Sequence, residues 1–210
     1  MKKLLSIALV AMLALSALAG CAAPAATDAS ASDATAADAT AADAAQPAAS
    51  GETIKVGILG PHTGDYAVYG LAVKNGAQLY IDQVNAAGGI NGKQIETVVY
   101  DNKGDSTEAI TAFTRMVDDG ITALIGDVLT GNTIAVVGEA NPINMPMITA
   151  SATASAVTYN ADTDTVYTNV CRTCFIDPFQ GEKMAQYASE KLGAKTAAVL
   201  TMTGDDYSVG

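Results

Sequence analysis

The sequence lacks tryptophan, and its other aromatic residues, its histidines and its basic residues are few. Aromatic residues make up 5% of the chain, His62 is the single histidine, and 11 basic residues face 22 acidic ones. This composition favours a core of Val, Ile, Leu and Ala over an aromatic-rich sugar site. The net charge of −11 argues against nucleic acid as a partner, because phosphates need Lys and Arg. It also opposes binding of the folded surface to anionic lipid.

Motifs for nucleotide binding and for nucleophilic catalysis are also missing. Gly57, Gly60 and Gly64 do not have Gly-x-Gly-x-x-Gly spacing, and the sequence has no P-loop and no Gly-x-Ser-x-Gly. His62 lies in a glycine-flanked loop and is expected to be exposed rather than catalytic. The adjacent pairs at 118–119 and 205–206 are interpreted as solvated loop charges. We therefore expect no enzyme, no catalytic residue and no cofactor.

Cysteine is scarce, with Cys21, Cys171 and Cys174. A zinc site at Cys171 and Cys174 would need two further ligands, so no metal site is expected. The segment 166–175 has the pattern of a strand, on which residues three apart face opposite sides. Buried, unreactive thiols without a disulfide are the expectation.

The first 50 residues indicate export. Two lysines, an apolar stretch over 4–19 and small residues before Cys21 are typical of a signal peptide over 1–20. Leu-Ala-Gly-Cys over 18–21 resembles a bacterial lipobox, which would place a lipid on Cys21 and anchor the protein outside the cytoplasmic membrane. The alternative is a plain secretory signal. Residues 21–52 are Ala-, Asp- and Thr-rich and predict a disordered linker.

From residue 53 onwards, strand and helix patterns alternate, which predicts an α/β fold with a parallel sheet. The predicted strands are 53–60, 94–100, 121–126, 145–149, 164–170 and 196–201. Helices are predicted over 67–85, from Asp105 onwards, over 133–140 with Thr130 at its beginning, and over 177–192. One face of the first helix is predicted to carry Tyr69, Val73, Ala77, Tyr80 and Val84. The last residues are expected to form a loop between a strand and a helix, so we expect a fragment of a longer protein.

Small hydroxyl residues follow the third and fourth strands, where open α/β sheets bind ligands. Thr130 falls where it could cap the next helix and face an anion together with nearby backbone N–H groups. A second polar rim spans 148–154. Two interpretations stay open: a pair of capping turns, or a ligand site.

The ordered motifs resemble the leucine/isoleucine/valine-type solute-binding proteins of ABC transporters. They are Ile-Lys-Val-Gly-Ile-Leu-Gly-Pro at 54–61, Asn-Ala-Ala-Gly-Gly-Ile-Asn-Gly at 85–92, Gly126 to Thr133, Arg172 and Phe-Ile-Asp-Pro-Phe-Gln-Gly at 175–181. The resemblance implies the type I periplasmic-binding fold, with helices on both faces of the sheet. It also implies a complete lobe 1 over 53–171 and the start of lobe 2 over 172–210.

The resemblance further implies a ligand site. The residue matching Thr130 holds a carboxylate, that matching Ser151 offers a backbone carbonyl to an ammonium group, and that matching Thr153 binds both groups. The remaining implied contacts are Tyr69, Val128, Leu129 and Ala152, with Tyr207 covering the ligand from lobe 2. The acidic residue that usually completes the ammonium site lies beyond residue 210 in this family.

The function implied is capture of an amino acid of the branched-chain or aliphatic class by a monomeric receptor that delivers it to an ABC permease. A signalling receptor with the same fold is the first alternative, and an enzyme on a similar scaffold is the second. The lack of a base and of metal ligands opposes the second.

Overall fold

A computed structural model describes residues 51–210. The expected signal peptide, Cys21 and nearly all of the linker lie outside the described residues. The strands are β1 (Thr53–Gly60), β2 (Gln94–Asp101), β3 (Ala123–Ile125), β4 (Met147–Thr149), β5 (Tyr159–Asn160), β6 (Thr165–Val166) and β7 (Val170–Arg172). The helices are α1 (Ala67–Ala86), α2 (Ser106–Asp118), α3 (Thr130–Ala140), α4 (Asp177–Glu190) and α5 (Asp206–Val209), with a 3₁₀ turn at Ser155–Val157. Within 51–210, no helix is long and apolar enough to cross a membrane.

Five strands form one parallel sheet in the order β2-β1-β3-β4-β7. The longest pairing runs from Thr53 opposite Gln94 to Gly60 opposite Asp101. The chain adds β2 on one side of β1 and then continues on the other side with β3. The predicted α/β fold with a parallel sheet is confirmed.

Helices cover both faces of β1, as the glycines of this strand show. A Cβ on Gly57 would lie 3.0 Å from Met116 Sδ of α2, whereas one on Gly60 would lie 3.8 Å from Gly70 Cα of α1. Residues 57 and 60 point to opposite faces because side chains alternate along a strand. The helices α1 and α2 therefore pack on opposite sides.

The main core lies between the sheet and the α2–α3 layer. Its largest members are Leu59, Phe113, Met116, Leu124 and Val136, all at most 2% exposed. The α2 helix starts as predicted, since Asp105 accepts a hydrogen bond from the N–H of Glu108. This core fixes the sheet edge from which the site loops extend.

The buried side of α1 differs from the prediction at its two tyrosines. Gly70 and Ile81 are buried and Val73 is half-buried, whereas Tyr69 and Tyr80 are 60% and 68% exposed. A helix turns 100° per residue, so a contact face centred on Gly70 leaves Tyr69 at its margin. The close packing of Gly70 decides which face is buried.

Three local expectations after residue 160 are wrong. The strand predicted over 164–170 is divided, because β5 and β6 form a small antiparallel pair and only β7 joins the main sheet. Residues 196–201 form no strand, and Leu200 is fully exposed. Tyr207 lies in the short helix α5 rather than in a loop.

The cysteines also differ from expectation. Cys171 and Cys174 are both free, but Cys171 is exposed and Cys174 is half-buried rather than fully buried. The expected boundary between the lobes, at 171–172, falls inside β7. It stays a prediction.

Candidate functional site

A cleft of about 680 Å³ opens at the carboxyl ends of the parallel strands. Loops after β1, β2, β3, β4 and β7 all contribute to its wall, as expected for an open α/β sheet. Seven of the eight predicted site residues line it: Tyr69, Val128, Leu129, Thr130, Ser151, Thr153 and Tyr207. The structure thus brings together residues that are up to 138 positions apart in the chain.

Ala152, the eighth predicted residue, is not on the cleft surface. It is fully buried, and its backbone N–H donates to Thr149 Oγ1 at 3.1 Å. Its carbonyl accepts hydrogen bonds from Arg172 Nη1 at 3.0 Å and from Cys174 Sγ at 3.4 Å. The residue supports the loop behind the cleft wall.

The start of α3 forms one wall of the cleft. Leu129 is the N-cap residue and Thr130 is the first helical residue, so the expected side-chain cap by Thr130 is wrong. The Thr130 hydroxyl instead accepts a hydrogen bond from the N–H of Thr153 at 3.3 Å. The first-turn N–H groups have no acceptor within the helix, and they carry the positive end of its dipole.

Two buried polar atoms beside this helix start have no hydrogen-bond partner within residues 51–210. They are Thr153 Oγ1 and Asn132 Nδ2, in residues that are 3% and 4% exposed. Leaving such a group unpaired costs about 1–3 kcal/mol. Both residues line the cleft, so a polar group bound there would be close to these two atoms.

Ser151 joins the two predicted rims. Its hydroxyl donates to the carbonyl of Val128 at 2.6 Å and so links the β4 loop to the β3 loop. The hydroxyl proton is used in this bond, so Ser151 can still offer a ligand two acceptors, its hydroxyl oxygen and its backbone carbonyl. The carbonyl role that the family resemblance implies stays a prediction.

A buried Asn102–Asp127 pair, which no sequence motif predicted, supports the β3 loop. The Asp127 carboxylate accepts from Asn102 Nδ2 and from the N–H groups of Val128 and Leu129. Burial raises the pKa of Asp127 to about 7, although these three donors oppose the rise. Their pairing spans 25 residues, so no local motif could reveal it.

Arg172 holds the loop that carries Thr153. Its guanidinium donates to the carbonyls of Ala152 and Ala154, each at 3.0 Å, and to Thr158 Oγ1 at 2.7 Å. Three bonds from a planar, permanently charged group fix the path of residues 152–158. Arg172 was singled out in the sequence only through the family motif.

Three further lining residues, Tyr66, Phe175 and Asp206, were not predicted as site residues. Tyr66 lies just before α1, Phe175 is in the family motif after β7, and Asp206 precedes Tyr207. Aromatic or charged residues next to predicted contacts were the only available signal. Cys174 also lines the cleft, and its burial raises the pKa of its thiol.

His62 and two of the paired acids have structural contacts, and the acids are not merely solvated loop charges, since Asp119 Oδ2 accepts from the Tyr100 hydroxyl at 2.9 Å and Asp205 caps α5. His62 is half-buried rather than exposed, and its burial lowers its pKa. Its N–H and that of Thr63 donate to Asp101, which shapes the loop after β1. Within the described part of the chain, no three His, Cys, Asp or Glu residues are grouped to hold a metal ion.

With this geometry established, comparisons with known proteins identify the family. Residues 53–210 match the family model described as periplasmic binding protein. The chain belongs to the periplasmic binding protein family. Membership indicates an extracytoplasmic location, and it confirms both the resemblance and the fold expected from the motifs.

Individual relatives agree. The chain is 36% identical, over 156 residues, to the leucine-, isoleucine-, valine-, threonine- and alanine-binding protein of Pseudomonas aeruginosa, covering 74% of this chain and 40% of the relative. It is 38% identical to a branched-chain amino acid transporter substrate-binding protein of Streptococcus pneumoniae solved with isoleucine, with a TM-score of 0.68 and coverage of 75% and 44%. A Rhodopseudomonas palustris solute-binding protein solved with benzoate is 30% identical, with a TM-score of 0.60 and coverage of 68% and 38%.

The relatives are solute-binding proteins of ABC transporters or amino-acid-binding proteins, as their names state. This periplasmic binding protein chain spans about 40% of the length of the curated relatives that it matches. The comparisons therefore establish the family and the fold of the described residues.

Proposed function

We propose that this protein is the solute receptor of an ABC importer, which captures an aliphatic amino acid between two lobes and delivers it to a permease. No bond is made or broken, so the protein is not an enzyme, and it acts as a monomer. The observation that carries the proposal is the group of polar atoms at the start of α3. Thr130 Oγ1, the Thr153 N–H and the unpartnered Thr153 Oγ1 border one cleft.

These atoms suit the two charged ends of an amino acid. A carboxylate at the start of α3 would accept from first-turn N–H groups and from the Thr130 hydroxyl. The Ser151 carbonyl would accept from the ammonium group, and Thr153 Oγ1 could serve either end. Val128, Leu129, Tyr69 and Tyr207 line the rest of the cleft and would contact an aliphatic side chain.

We further propose that a lipid on Cys21 anchors the receptor to the membrane. The support is the lipobox-like run at 18–21 that follows a basic and apolar start. A linker of about 30 residues would reach roughly 30 Å from the membrane. That reach would keep a two-lobed receptor near its permease.

Thr153→Val tests the site, because it replaces the hydroxyl by a methyl group of similar size. In the full-length protein, we expect titration calorimetry to show that the free energy of leucine binding weakens by about 1.5–3 kcal/mol. The Kd for leucine then rises roughly 10- to 150-fold. The free energy of unfolding should stay the same or rise, because the hydroxyl is buried without a partner.

Thr114→Val is the matched control. Thr114 is exposed on α2, its hydroxyl bonds the carbonyl of Ile110, and it lies outside the cleft. Its leucine affinity should equal that of wild type. Unchanged affinity in Thr153→Val would refute the assigned site, and a wild-type protein that binds no aliphatic amino acid would refute the proposed function.

A further inference from the structure

The cleft carries charge of one sign only. Its charged lining residues within 51–210 are Asp205 and Asp206, and no Lys, Arg or His joins them. Asp205 is engaged, since its carboxylate accepts a hydrogen bond from the N–H of Ser208 at 2.9 Å and so caps α5. Asp206 is exposed, and its carboxylate has no hydrogen bond or ion pair with the described residues. Its charge lies beside the positive end of the α3 dipole, and no cationic side chain of residues 51–210 lines the cleft to pair with it.

Asp206 lies at the same helix start as the proposed carboxylate site. Its Oδ2 is 2.9 Å from the position that a Cβ on Gly131 would occupy, and Gly131 is the second residue of α3. The absence of a side chain at 131 allows this approach. No side chain caps α3, and the unpartnered Asn132 Nδ2 borders the same place. A negative group thus stands beside a cluster of hydrogen-bond donors that would attract any anion.

We propose that Asp206 is a specificity-determining residue that selects ligands by net charge. The inference rests on the proposed function and deepens it. A zwitterionic amino acid brings an ammonium group whose attraction to Asp206 offsets the repulsion of its carboxylate. A simple carboxylic acid has no ammonium group, and a dicarboxylic amino acid has a second carboxylate that its ammonium group does not offset. The cleft therefore discriminates against ligands of net negative charge.

The size of the discrimination follows from Coulomb's law. For an assumed separation of about 7 Å between the Asp206 carboxylate and a ligand carboxylate, and an effective dielectric constant of about 40, the repulsion weakens binding roughly 5- to 10-fold. This factor is separate from the loss of direct ammonium contacts. Discrimination by net charge matters in this family because one solved relative holds benzoate, a plain anion, whereas another holds isoleucine.

Asp206→Asn tests the proposal, because it removes the charge and keeps the shape. The probes are L-leucine and 4-methylpentanoate, which has the same carbon skeleton without the ammonium group. Competition calorimetry with the full-length protein, in which 4-methylpentanoate competes with leucine, gives the ratio of the affinities for these two ligands. We expect the preference for leucine to narrow about 5- to 10-fold in Asp206→Asn, since lost ammonium contacts are common to both proteins and cancel.

Glu139→Gln is the matched control, because Glu139 is an exposed acid on α3 outside the cleft. It should change the preference by less than twofold. If the ratio of the leucine affinity to the 4-methylpentanoate affinity is the same in wild type and in Asp206→Asn, the inference is overturned. Leucine binding and the proposed function would then remain intact. A wild-type protein that binds neither probe would refute the proposed function and this inference with it.

Discussion

Replacing Asp127 with Asn tests how the cleft loop is held and what its buried carboxyl contributes. Asp127 is fully buried, and its carboxylate accepts from the N–H groups of Val128 and Leu129 and from Asn102 Nδ2. Asn102 cannot turn freely, because its Oδ1 accepts from the N–H of Gly104 at 2.9 Å. In Asp127→Asn the new amide can still accept the two backbone N–H groups. Its own NH₂ then faces the NH₂ of Asn102.

The expected effect depends on pH because burial raises the pKa of Asp127 to about 7. In the unfolded chain this carboxyl has its ordinary pKa of about 3.9. Between these values the folded protein holds a proton that the unfolded chain has released. Stability from this group is therefore greatest below about pH 4 and is lost as the pH rises to about 7, by up to about 4 kcal/mol.

Asp127→Asn does not titrate at this position, so it lacks that dependence. Between pH 5 and pH 7 the free energy of unfolding of wild type should fall by about 2–3 kcal/mol relative to the variant. The clash of two NH₂ groups adds a constant cost of about 1–3 kcal/mol to the variant. The variant is thus clearly less stable than wild type at pH 5, and the two converge near pH 7.

Urea unfolding at four pH values from 5 to 8 measures this difference. His62, whose pKa burial lowers, contributes with the opposite sign, but it is present in both proteins and its contribution cancels. Asp162→Asn, at an exposed acid in the β5–β6 segment, controls for the loss of one negative charge. A difference between wild type and Asp127→Asn that is constant from pH 5 to pH 8 would refute the reasoning, because it would mean that the buried carboxyl stays charged.

Two other predictions concern packing and anchoring. Gly70→Ala should lower the free energy of unfolding by about 3 kcal/mol, because the new Cβ would lie 2.0 Å from the carbonyl oxygen of Pro61. Gly76→Ala, in the same helix, should raise the free energy of unfolding by about 0.5–1 kcal/mol, because no atom lies within 4 Å of the new Cβ. Equal effects in urea unfolding would contradict this packing. Cys21→Ser should move the protein from the membrane to the soluble cell fraction with unchanged leucine affinity, and a variant that stays in the membrane fraction would disprove the lipid anchor.

Local signals in the sequence were sufficient for the central elements. The β-branched run of β1 and the Asp105 cap of α2 need only neighbouring residues to act, and both are confirmed. Non-local packing decided the errors. Residues 196–201 have a strand-like pattern, yet a strand needs a partner, and the described residues provide none there. Tyr69 has a helical position but lies at the margin of the face that Gly70 packs.

The same distinction applies to the site. Its position was predictable, because residues after β3 and β4 must meet at the carboxyl edge of a parallel sheet. The Asn102–Asp127 pair and the approach of Asp206 to Gly131 were not, since each joins segments at least 25 residues apart. Sequence patterns indicate where loops gather, and the contacts between the loops determine which atoms remain available.

The buried unpaired atoms favour one of the two interpretations of the hydroxyl rim, the ligand site. If Thr130 and Thr153 were capping residues only, each hydroxyl would be paired with the backbone, as Thr133 Oγ1 is with the Leu129 carbonyl at 2.8 Å. Thr153 Oγ1 is instead buried without a partner, and so is the nearby Asn132 Nδ2. Each costs the fold about 1–3 kcal/mol and stabilises nothing within it. A polar ligand at the uncapped helix start would supply the missing partners, which is why the proposed site is placed there.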